Sequence, residues 1–451
     1  MINSAKLKQA GHFELLSFKV TNFERTKTID INRLIHAFNI DESMSAGSVR
    51  GSAIVYDALN ILAEFPLIGE ETLEITYTDF YNNQRQEIYF LYAITDVGND
   101  DESTGKIQKY KINFVSPGKF YSENFNIMKA YKPDSISSKI SDYVKLVYDE
   151  YYKTPMKELQ LKTKELVIED TQGVQSYVIP NYTPEQTMHF FSRRAVSPSS
   201  TTQFFRFFES REKYYFATNE YMDKISKNFV GVGDGLIDPR LARDTKIKTG
   251  TIPIFRLNYM PDVGADKQIM AMSEIIDIEY GDRVNSVEDI TVGAYKKKTT
   301  EIDIMNGTVV QYEYDHITEF KHPGQKLIHT QAFIDRHISA EDETFVVKDY
   351  HSTGAPTGSS IRNNQYYPTL YNYKRANLYH YRRNQIAVTI NGRNNIFAGS
   401  MIDLEINAIK TNTVDLDKEK SGRYIVESIS SVFFENTFRQ KLVLSRSGIG
   451  I

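Results

Sequence analysis

RYIVESISSV, residues 423–432, matches IYFLYAITDV, residues 88–97, in length and in its alternation of apolar and polar side chains. Working outward, the segment before each copy also matches. IGEETLEITYTD, residues 68–79, corresponds to AGSMIDLEINAI, residues 398–409, and both contain the tripeptide LEI. Either match alone would be weak, because any two amphipathic strands look alike.

The segment after each copy completes a third match, KYKINFVSPG, residues 109–118, with RQKLVLSRSG, residues 439–448. The order of the three pairs is the same, and the distance from the LEI tripeptide to the final glycine agrees between the copies to within about one residue. A repeat this far apart is not a solenoid. Three matched segments in one order instead favour two copies of one β-domain, with other material between them.

The first copy is predicted over residues 1–118, which contain short runs rich in β-branched and aromatic residues. GNDDESTG, residues 98–105, has the composition of an exposed hairpin loop. One helix is expected at VYDALNILAEF, residues 55–65.

Residues 119–244 differ from the first copy in their sequence pattern and predict an α+β domain with helices near 135–152 and 184–196. In the first helix, Ile136, Ile140, Val144 and Val147 recur at helical spacing.

The second helix follows Thr183 and Pro184, where T-x-x-Q forms a capping box and proline suits the first helical position. QFFRFFES and KYYFAT follow as a predicted hairpin.

The second copy is expected to begin at residues 245–315, with a helix in RVNSVEDITVGAY and a hairpin turning at Asn306-Gly307. Residues 316–367 are irregular and predict an insertion. Residues 368–451 then give a helix, YNYKRANLYHYRRNQ, and the closing strands.

The composition limits the classes of function. The chain has 451 residues, a formal net charge of -4 and no cysteine, which excludes disulfides and thiolate metal sites. The N-terminus lacks the apolar run of a signal peptide, and no stretch approaches a membrane span. We therefore expect synthesis in the cytosol, no membrane insertion, and no general electrostatic attraction to nucleic acid.

The helix at 184–196 carries His189, Arg193 and Arg194, which allows two interpretations. Arginine forks bind phosphate or carboxylate, so the three side chains could form an anion site. A capped scaffold helix with its arginines at the surface or at an interface is favoured, because no nucleophile, base or glycine loop lies nearby.

Other motifs are weak. GVGDG, residues 231–235, lacks the P-loop context and is interpreted as a connector. Five histidines between residues 316 and 351 lack the tight spacing of zinc ligands. YNYKRANLYHYRR, with Arg382 and Arg383, could bind single-stranded nucleic acid, but a packed helix with salt-bridged arginines is favoured. No catalytic, cofactor or metal site is predicted, so an enzyme is not expected.

Two parts of the sequence resemble the baseplate hub proteins of contractile-tailed phages, whose relatives include the hub half of type VI secretion spike proteins. The first part is YVIPNYTPEQTMHFFSRRAV followed by FFRFFESREKYYFAT. The second is QIAVTINGRNNIFAGSMIDLEI followed by SGRYIVESISSVF. The resemblance covers most of the chain in outline but is specific in about four segments, and residues 316–367 do not contribute.

The resemblance implies a mainly β fold with α+β insertions, in which two tail-tube-like antiparallel β-barrels arise from the duplication. It also implies a homotrimer whose six barrels form a pseudo-hexameric ring between the sixfold tail tube and the threefold central spike. Tube or tube-initiator, tape-measure and baseplate-wedge proteins would be further partners. The protein would be assembled in the host cytoplasm and reside in the virion tail.

In that setting Arg193, Arg194, Arg382 and Arg383 are candidate interface residues. A tail-associated cell-wall hydrolase and a single-stranded nucleic-acid-binding protein remain the alternatives.

Overall fold

A computed structural model gives the structure of the chain over sixteen ranges. The described residues are 10–65, 67–80, 82–99, 107–132, 139–173, 176–199, 204–228, 252–259, 274–281, 285–291, 294–304, 306–320, 325–327, 343–347, 367–408 and 416–450.

The first copy of the β-domain consists of seven strands that curl around one core. They are β1 Glu14–Thr21, β2 Thr28–Asp30, β3 Ile35–Ser43, β4 Arg50–Asp57, β5 Thr72–Thr78, β6 Gln84–Asn99 and β7 Gln108–Val115. Their order in the sheet is β2-β1-β5-β6-β7-β4-β3. Alternate residues of each strand point inward, so Phe18, Phe38 and Tyr77 meet in the centre although they lie on different strands.

The helix predicted at residues 55–65 is wrong over most of its length. Residues 50–57 form β4, whose alternating burial buries Val55 in the barrel core, and only Ile61–Glu64 form a helix, α1. Strand pairing of β4 with both β3 and β7 outweighs the local helical pattern here.

The middle region contains helices and short strands. Its elements are α2 Pro117–Ser122, β8 Ile127–Tyr131, α3 Ile140–Tyr148, a π-helical turn Asp149–Lys153, α4 Thr154–Glu158, β9 Glu165–Ile168, β10 Tyr177–Tyr182, α5 Pro184–Arg194, β11 Phe205–Glu209, β12 Lys213–Thr218 and α6 Asn219–Ile225. The helices α3 and α5 pack through Tyr143 and Phe191 over the three-stranded sheet β11-β12-β9. Both predicted helices are present, with the residues 133–138 outside the described part of the chain.

The last part of the chain holds the second copy and a small separate sheet. Its elements are β13 Ser226–Asn228, β14 Ile252–Tyr259, β15 Ile275–Tyr280, α7 Ser286–Thr291, β16 Lys296–Asp303, β17 Thr308–Asp315, α8 His316–Glu319, β18 Gln325–Lys326, β19 Glu343–Val347, α9 Tyr367–Arg383, β20 Gln385–Asn391, β21 Met401–Ile406, β22 Gly422–Phe434, β23 Thr437–Ser445 and β24 Ile449–Gly450. The second copy has the order β13-β14-β21-β22-β23-β20-β15.

The two copies have the same strand order, and the predicted duplication is confirmed. β5, β6 and β7 correspond to β21, β22 and β23, β4 to β20, and β3 to β15. One β-bulge of β6 coincides with one of β22, whereas a second bulge of β6, between Thr95 and Gly98, has no counterpart in β22. β6 skips one residue between Leu91 and Ala93 where β22 skips one between Val426 and Ser428. A shared bulge is a specific feature of backbone geometry rather than of hydrophobic pattern, so it supports a common origin of the two copies.

One detail of the predicted repeat is wrong. Strand pairing places Thr72 opposite Phe90 and Met401 opposite Ile425. Because Phe90 and Ile425 hold the same place in the two copies, Thr72 is equivalent to Met401. The two LEI tripeptides therefore lie two residues out of register. A slip of two residues keeps every side chain on the same face of the sheet, so the hydrophobic pattern could not reveal it. The copies also differ at one edge, where β14 pairs parallel with β21 while β1 pairs antiparallel with β5.

The two copies share one continuous fourteen-stranded sheet, because β22 also pairs with β3. The β22–β23 hairpin extends into the first copy, where Phe433 stacks on Phe38 and Phe438 with ring centroids 4.2 Å apart in both cases. The two barrels are therefore joined by both backbone hydrogen bonds and a shared aromatic core.

The hairpin around Asn306-Gly307 is present, but Asp303 pairs with Thr308, so its turn spans the four residues 304–307, with Gly307 at φ +60, and is not a two-residue turn. It was expected to form part of the second barrel, but β16 and β17 pair with β19 in a separate three-stranded sheet. Helix α9 packs on this small sheet. The predicted helix in RVNSVEDITVGAY is reduced to α7. GVGDG and most of residues 316–367 lie outside the described residues.

Candidate functional site: the three-way junction and its cationic cavity

The β11–β12 hairpin carries four charged side chains that connect the middle domain to both barrels. We call this cluster the three-way junction; its hairpin residues are Arg206, Glu209, Arg211 and Glu212. Hairpin tips present side chains in several directions at once, because the chain reverses there. The junction therefore fixes the relative positions of three domains.

Arg211 is the centre of the junction. Its Nε donates to Glu42 Oε1 at 2.5 Å and its backbone N–H donates to the other carboxylate oxygen at 3.0 Å. Its Nη2 donates to the carbonyl of Ile396 at 3.1 Å. The side chains of Arg211 and Glu42 are 1% and 0% exposed. One buried guanidinium thus connects the first barrel, the middle domain and the loop that precedes β21.

Arg85 extends the same network toward the surface. It pairs with Glu87, donates to Glu212 Oε1 at 2.6 Å, and donates to the carbonyl of Asn394 at 3.0 Å. Burial alone would raise the pKa of Glu87, but the neighbouring charges of Arg85 and Arg211 hold that pKa below its usual value. The carboxylate is therefore ionised at neutral pH although it is buried.

Two further contacts come from the hairpin. Arg206 forms a bidentate pair with Glu427 on β22, which also accepts from Ser445 Oγ at 2.6 Å. Glu209 accepts from Ser116, from the backbone N–H of Val49 at 3.3 Å, and from Lys164 Nζ at 2.7 Å. The hairpin thus contacts the second barrel through one side and the first barrel through the other.

Helix α5 begins as predicted and serves as a structural part of the junction. The side chains of Thr183 and Gln186 each bond to the other's backbone N–H in a capping box. Glu185 in the first turn accepts from the backbone N–H of Gly47 at 3.1 Å and from Lys119. A Cβ on Gly47 would lie 2.5 Å from the Glu185 carboxyl carbon, so any side chain there would displace the Glu185 carboxylate from this contact.

The four candidate interface arginines divide into two pairs. Arg194 lies over the Phe190 ring of its own helix, with the guanidinium carbon 3.7 Å from the centroid. Arg383 forms a buried salt bridge with Asp289 of α7. Both therefore make contacts within the chain, and the sequence did not reveal these partners.

Arg193 and Arg382, in contrast, are exposed and line one cavity of about 400 Å³ between α5, β11 and α9. We call it the cationic cavity. Its lining residues are Met44, Ser45, His189, Ser192, Arg193, Phe204, Phe205, Arg206, Phe207, Lys374, Arg375, Leu378, Arg382, Gln385 and Glu427. The structure thus brings together two arginines that lie far apart in the sequence.

The cavity carries an excess of positive charge. Its one carboxylate, Glu427, is already paired with Arg206, while Arg193, Arg375 and Arg382 also face it. Lys374 Nζ donates to the carbonyls of Arg193 at 3.0 Å and Ala195 at 2.6 Å, which caps the C-terminus of α5. Burial, with the nearby charge of Arg194, lowers the pKa of Lys374 to about 7. Such a cavity can bind an anionic group.

The basic and aromatic helix α9 is packed, as the favoured interpretation held. Tyr381 is buried in the second core, Tyr379 donates to Asp289 at 2.5 Å, and Tyr373 contacts the Tyr314 ring. These rings are engaged within the fold and do not form an exposed surface for base stacking.

No family model matches this chain, and no curated protein matches it. Solved structures do match over nearly its whole length. The 43 kDa tail protein of prophage MuSo2 from Shewanella oneidensis has 7% identity and a TM-score of 0.50, with 96% of this chain and 98% of that chain covered. The chain shares the fold of a prophage tail protein. The expected likeness to phage tail proteins is thereby confirmed for the fold.

Two further structures are similar at lower scores. The tail protein from Neisseria meningitidis MC58 has 8% identity and a TM-score of 0.48, covering 97% of this chain and 98% of that chain. The E. coli c3393 protein, a component of the type VI secretion system, has 7% identity and a TM-score of 0.42, covering 97% and 76%. The fold assignment rests on the Shewanella protein.

Sequence reasoning missed most of the junction. Glu42 and Arg211 are separated by 169 residues, and neither belongs to a motif. The one available signal was the run of charges in FFRFFESREKYY, since charged residues in a strongly aromatic hairpin need buried partners. Within the described ranges, no group of three or more metal-ligating side chains occurs, and no helix is long and apolar enough to cross a membrane.

Replacing Glu185 with glutamine should lower the free energy of unfolding by about 2 kcal/mol at pH 7, since hydrogen bonds to a charged group contribute more than neutral ones. Burial disfavours its charge, but contacts with His189 and Lys119 lower the pKa of Glu185 to about 2. Its contribution is thus complete above pH 4.5 and falls as the pH approaches 2. Urea denaturation measures the change.

The matched control is Glu150→Gln, which removes an exposed pair with Lys129 and should change stability by less than about 0.5 kcal/mol. Equal losses in the two variants would contradict the role given to Glu185.

Proposed function

We propose that the chain is a structural hub of a phage tail baseplate, forming a trimeric ring that joins the sixfold tail tube to the threefold central spike. The observation that carries the proposal is the duplication, in which both copies have the same strand order and share a β-bulge at the same position. The fold shared with a prophage tail protein supports the same assignment.

Symmetry explains why a duplicated chain suits this position. Three copies of a chain with two similar barrels present six similar surfaces, which match a sixfold tube. The same three copies carry only three middle domains, which suit a threefold spike. One subunit type can thus contact partners of different symmetry without a change of conformation.

The junction gives this hub the rigidity that a connector requires. Buried ion pairs with satisfied hydrogen bonds hold the middle domain against both barrels through Arg206 and Arg211. A load applied to one domain is therefore passed to the others by direct contacts. We propose a structural role in the virion tail, with assembly in the host cytoplasm, and no catalysis.

The partners proposed are the central spike, the tail tube or its initiator, and the tape-measure and baseplate-wedge proteins. The cationic cavity is proposed as a contact site for acidic side chains of one of these partners or of a neighbouring copy. Arg193 and Arg382 provide bidentate donors for carboxylates there.

The mass of the purified chain in solution, measured by light scattering, tests the proposal. We expect a particle of three times the chain mass of 51.9 kDa, which is stable on dilution because hub interfaces are permanent. A chain that remains a monomer at every concentration, alone and with its spike protein added, would contradict the proposed ring.

Reversing the charge of Arg193 and Arg382 together, as Arg193→Glu with Arg382→Glu, should weaken assembly with its partners at least tenfold. Both side chains are exposed, so the unfolding midpoint should hardly change. Binding measured by analytical ultracentrifugation or by co-assembly gives the result.

The control for this double variant is Lys145→Glu with Lys157→Glu, which changes the net charge equally on exposed residues of α3 and α4. If both double variants assemble as well as the unmodified chain, the cationic cavity is not a contact site.

A further inference from the structure

The outer parts of the two equivalent strands β6 and β22 are paired differently. Residues 428–434 of β22 pair on one edge with β23 and on the other with β3. Residues 93–99 of β6 pair with β7 on one edge, with a bulge between Thr95 and Gly98 that β22 lacks, and within the described ranges no strand pairs with the other edge. The first copy therefore has an open edge where the second copy has a neighbour.

The matching difference appears at β15, the equivalent of β3. β3 lies between β4 and β22, whereas β15 pairs with β20 and has no second neighbour in the part of the chain that is described. Both strands carry the same bulge, between Ile35 and Ala37 in β3 and between Ile275 and Asp277 in β15. The register of β15 on β20 thus repeats that of β3 on β4.

These registers define which residues are equivalent. Lys109 on β7 and Arg439 on β23 are equivalent. Lys109 pairs with Gly98 and Arg439 pairs with Val432, so Gly98 is equivalent to Val432. The register can also be followed from β7 through β4 to β3 in the first copy, and from β23 through β20 to β15 in the second. Asn39 on β3 and Glu279 on β15 then occupy equivalent positions.

We propose that the open edge of β6 pairs antiparallel with β15 of a second copy, with Gly98 opposite Glu279 of that copy. This contact repeats between chains the pairing of Val432 with Asn39 inside the chain. It rests on the proposed ring and specifies the contact that closes it. The occupant is a second copy because, among the described residues, both open edges of the repeated arrangement, β6 and β15, belong to this one chain.

Local features of both edges suit such a contact. Val97 on β6 and Ile276 on β15 are 54% and 44% exposed, although both are apolar and lie on strands. No atom lies within 4 Å of a Cβ built on Gly98, apart from its chain neighbours, so a side chain can replace this glycine without a clash. The charge of Glu279 is already matched by Lys441 at 2.8 Å. Open strand edges of this kind favour pairing with another chain.

The geometry of the contact is heterologous, since β6 of one copy meets β15 of the next. Such a contact generates a closed ring when the rotation between copies closes, and an open filament when it does not. Within each chain β22 and β3 already form this contact between the two barrels. Three chains would therefore alternate internal and intermolecular versions of one strand pairing around the ring.

Engineered disulfides test the register directly, because the chain has no cysteine of its own. Gly98→Cys with Glu279→Cys in one chain should give covalent dimers and trimers on a non-reducing gel, and nothing larger. Facing residues of antiparallel strands lie about 4.5–5.5 Å apart, which a disulfide can bridge. Chains with Gly98→Cys alone and Glu279→Cys alone should crosslink only when they are assembled together.

Two controls fix the interpretation. Asn39→Cys with Val432→Cys should form a disulfide within one chain, because that pair is already opposed. Gly98→Cys with Asp277→Cys is two residues out of register and should crosslink at least tenfold less.

The outcomes separate this contact from the ring itself. Trimers that form by light scattering but do not crosslink through Gly98 and Glu279 would overturn the strand pairing and leave the ring standing. A chain that is always monomeric would overturn the ring and the strand pairing together.

Discussion

Arg211→Met is expected to lower the free energy of unfolding by about 3–5 kcal/mol, the loss typical of breaking one partner of a buried ion pair. The substitution leaves Glu42 fully buried and without its countercharge. It also removes donors to Tyr77 and to the Ile396 carbonyl. Urea denaturation at pH 7 measures the loss, and limited proteolysis should show the three domains separating before they unfold.

The matched control for Arg211 is Lys441→Met, which breaks an exposed pair with Glu279 and should cost less than about 1 kcal/mol. Adding Glu42→Leu to Arg211→Met should recover part of the stability, because no unpaired charge then remains buried. A loss below about 1 kcal/mol for Arg211→Met would show that the junction does not hold the domains together.

Acidification from pH 7.5 to pH 5 is expected to lower the free energy of unfolding by about 4 kcal/mol through two buried histidines, since one pKa unit corresponds to about 1.4 kcal/mol. The rings of His316 and His380 stack with centroids 4.6 Å apart between α8 and α9. Burial lowers the pKa of His316 to about 2, with a further effect of His380, and burial lowers that of His380 to about 4. Thermal denaturation at each pH measures the loss.

Acidification lowers the free energy of unfolding because the unfolded chain binds more protons than the folded chain. Both histidines are neutral in the folded chain, and the unfolded chain binds their protons below about pH 6.5. Stability is thus complete above pH 6.5 and falls on acidification until each folded pKa is reached. The neighbouring groups are Tyr295, Tyr314, Tyr373 and Tyr379, which supply no carboxylate to offset the positive charge.

Replacing one member of the pair checks this cause. His380→Phe should roughly halve the loss between pH 7.5 and pH 5, because one titrating group remains. Stability that stays flat over this range in the unmodified chain would contradict the buried neutral pair.

The parts of the fold that could be predicted from the sequence depend on residues close together along the chain. Alternation of apolar residues predicted strands, and the capping box at Thr183 predicted the start of α5. Three repeated segments predicted the duplication, two of them in the register that strand pairing gives. The first pair slipped by two residues, because hydrophobic pattern has period two and is blind to such a shift.

The candidate site was less accessible to sequence reasoning because its partners are remote. Arg193 and Arg382 were named separately, and only the fold places them at one cavity. Arg383 was named as an interface residue, but it pairs with Asp289 inside the chain, which no local pattern indicates. Equivalence of β3 and β15 was invisible as well, since IHAFNI and IIDIEY share little beyond their bulge.

Electron microscopy of the assembled particle tests the central claim most directly, because it reports the number and similarity of the barrels. We expect a closed ring with six similar lobes at low resolution that separate into three alternating pairs at high resolution. A ring with a number of lobes other than six, or particles without a ring, would contradict the proposal that the duplicated barrels form a pseudo-sixfold hub.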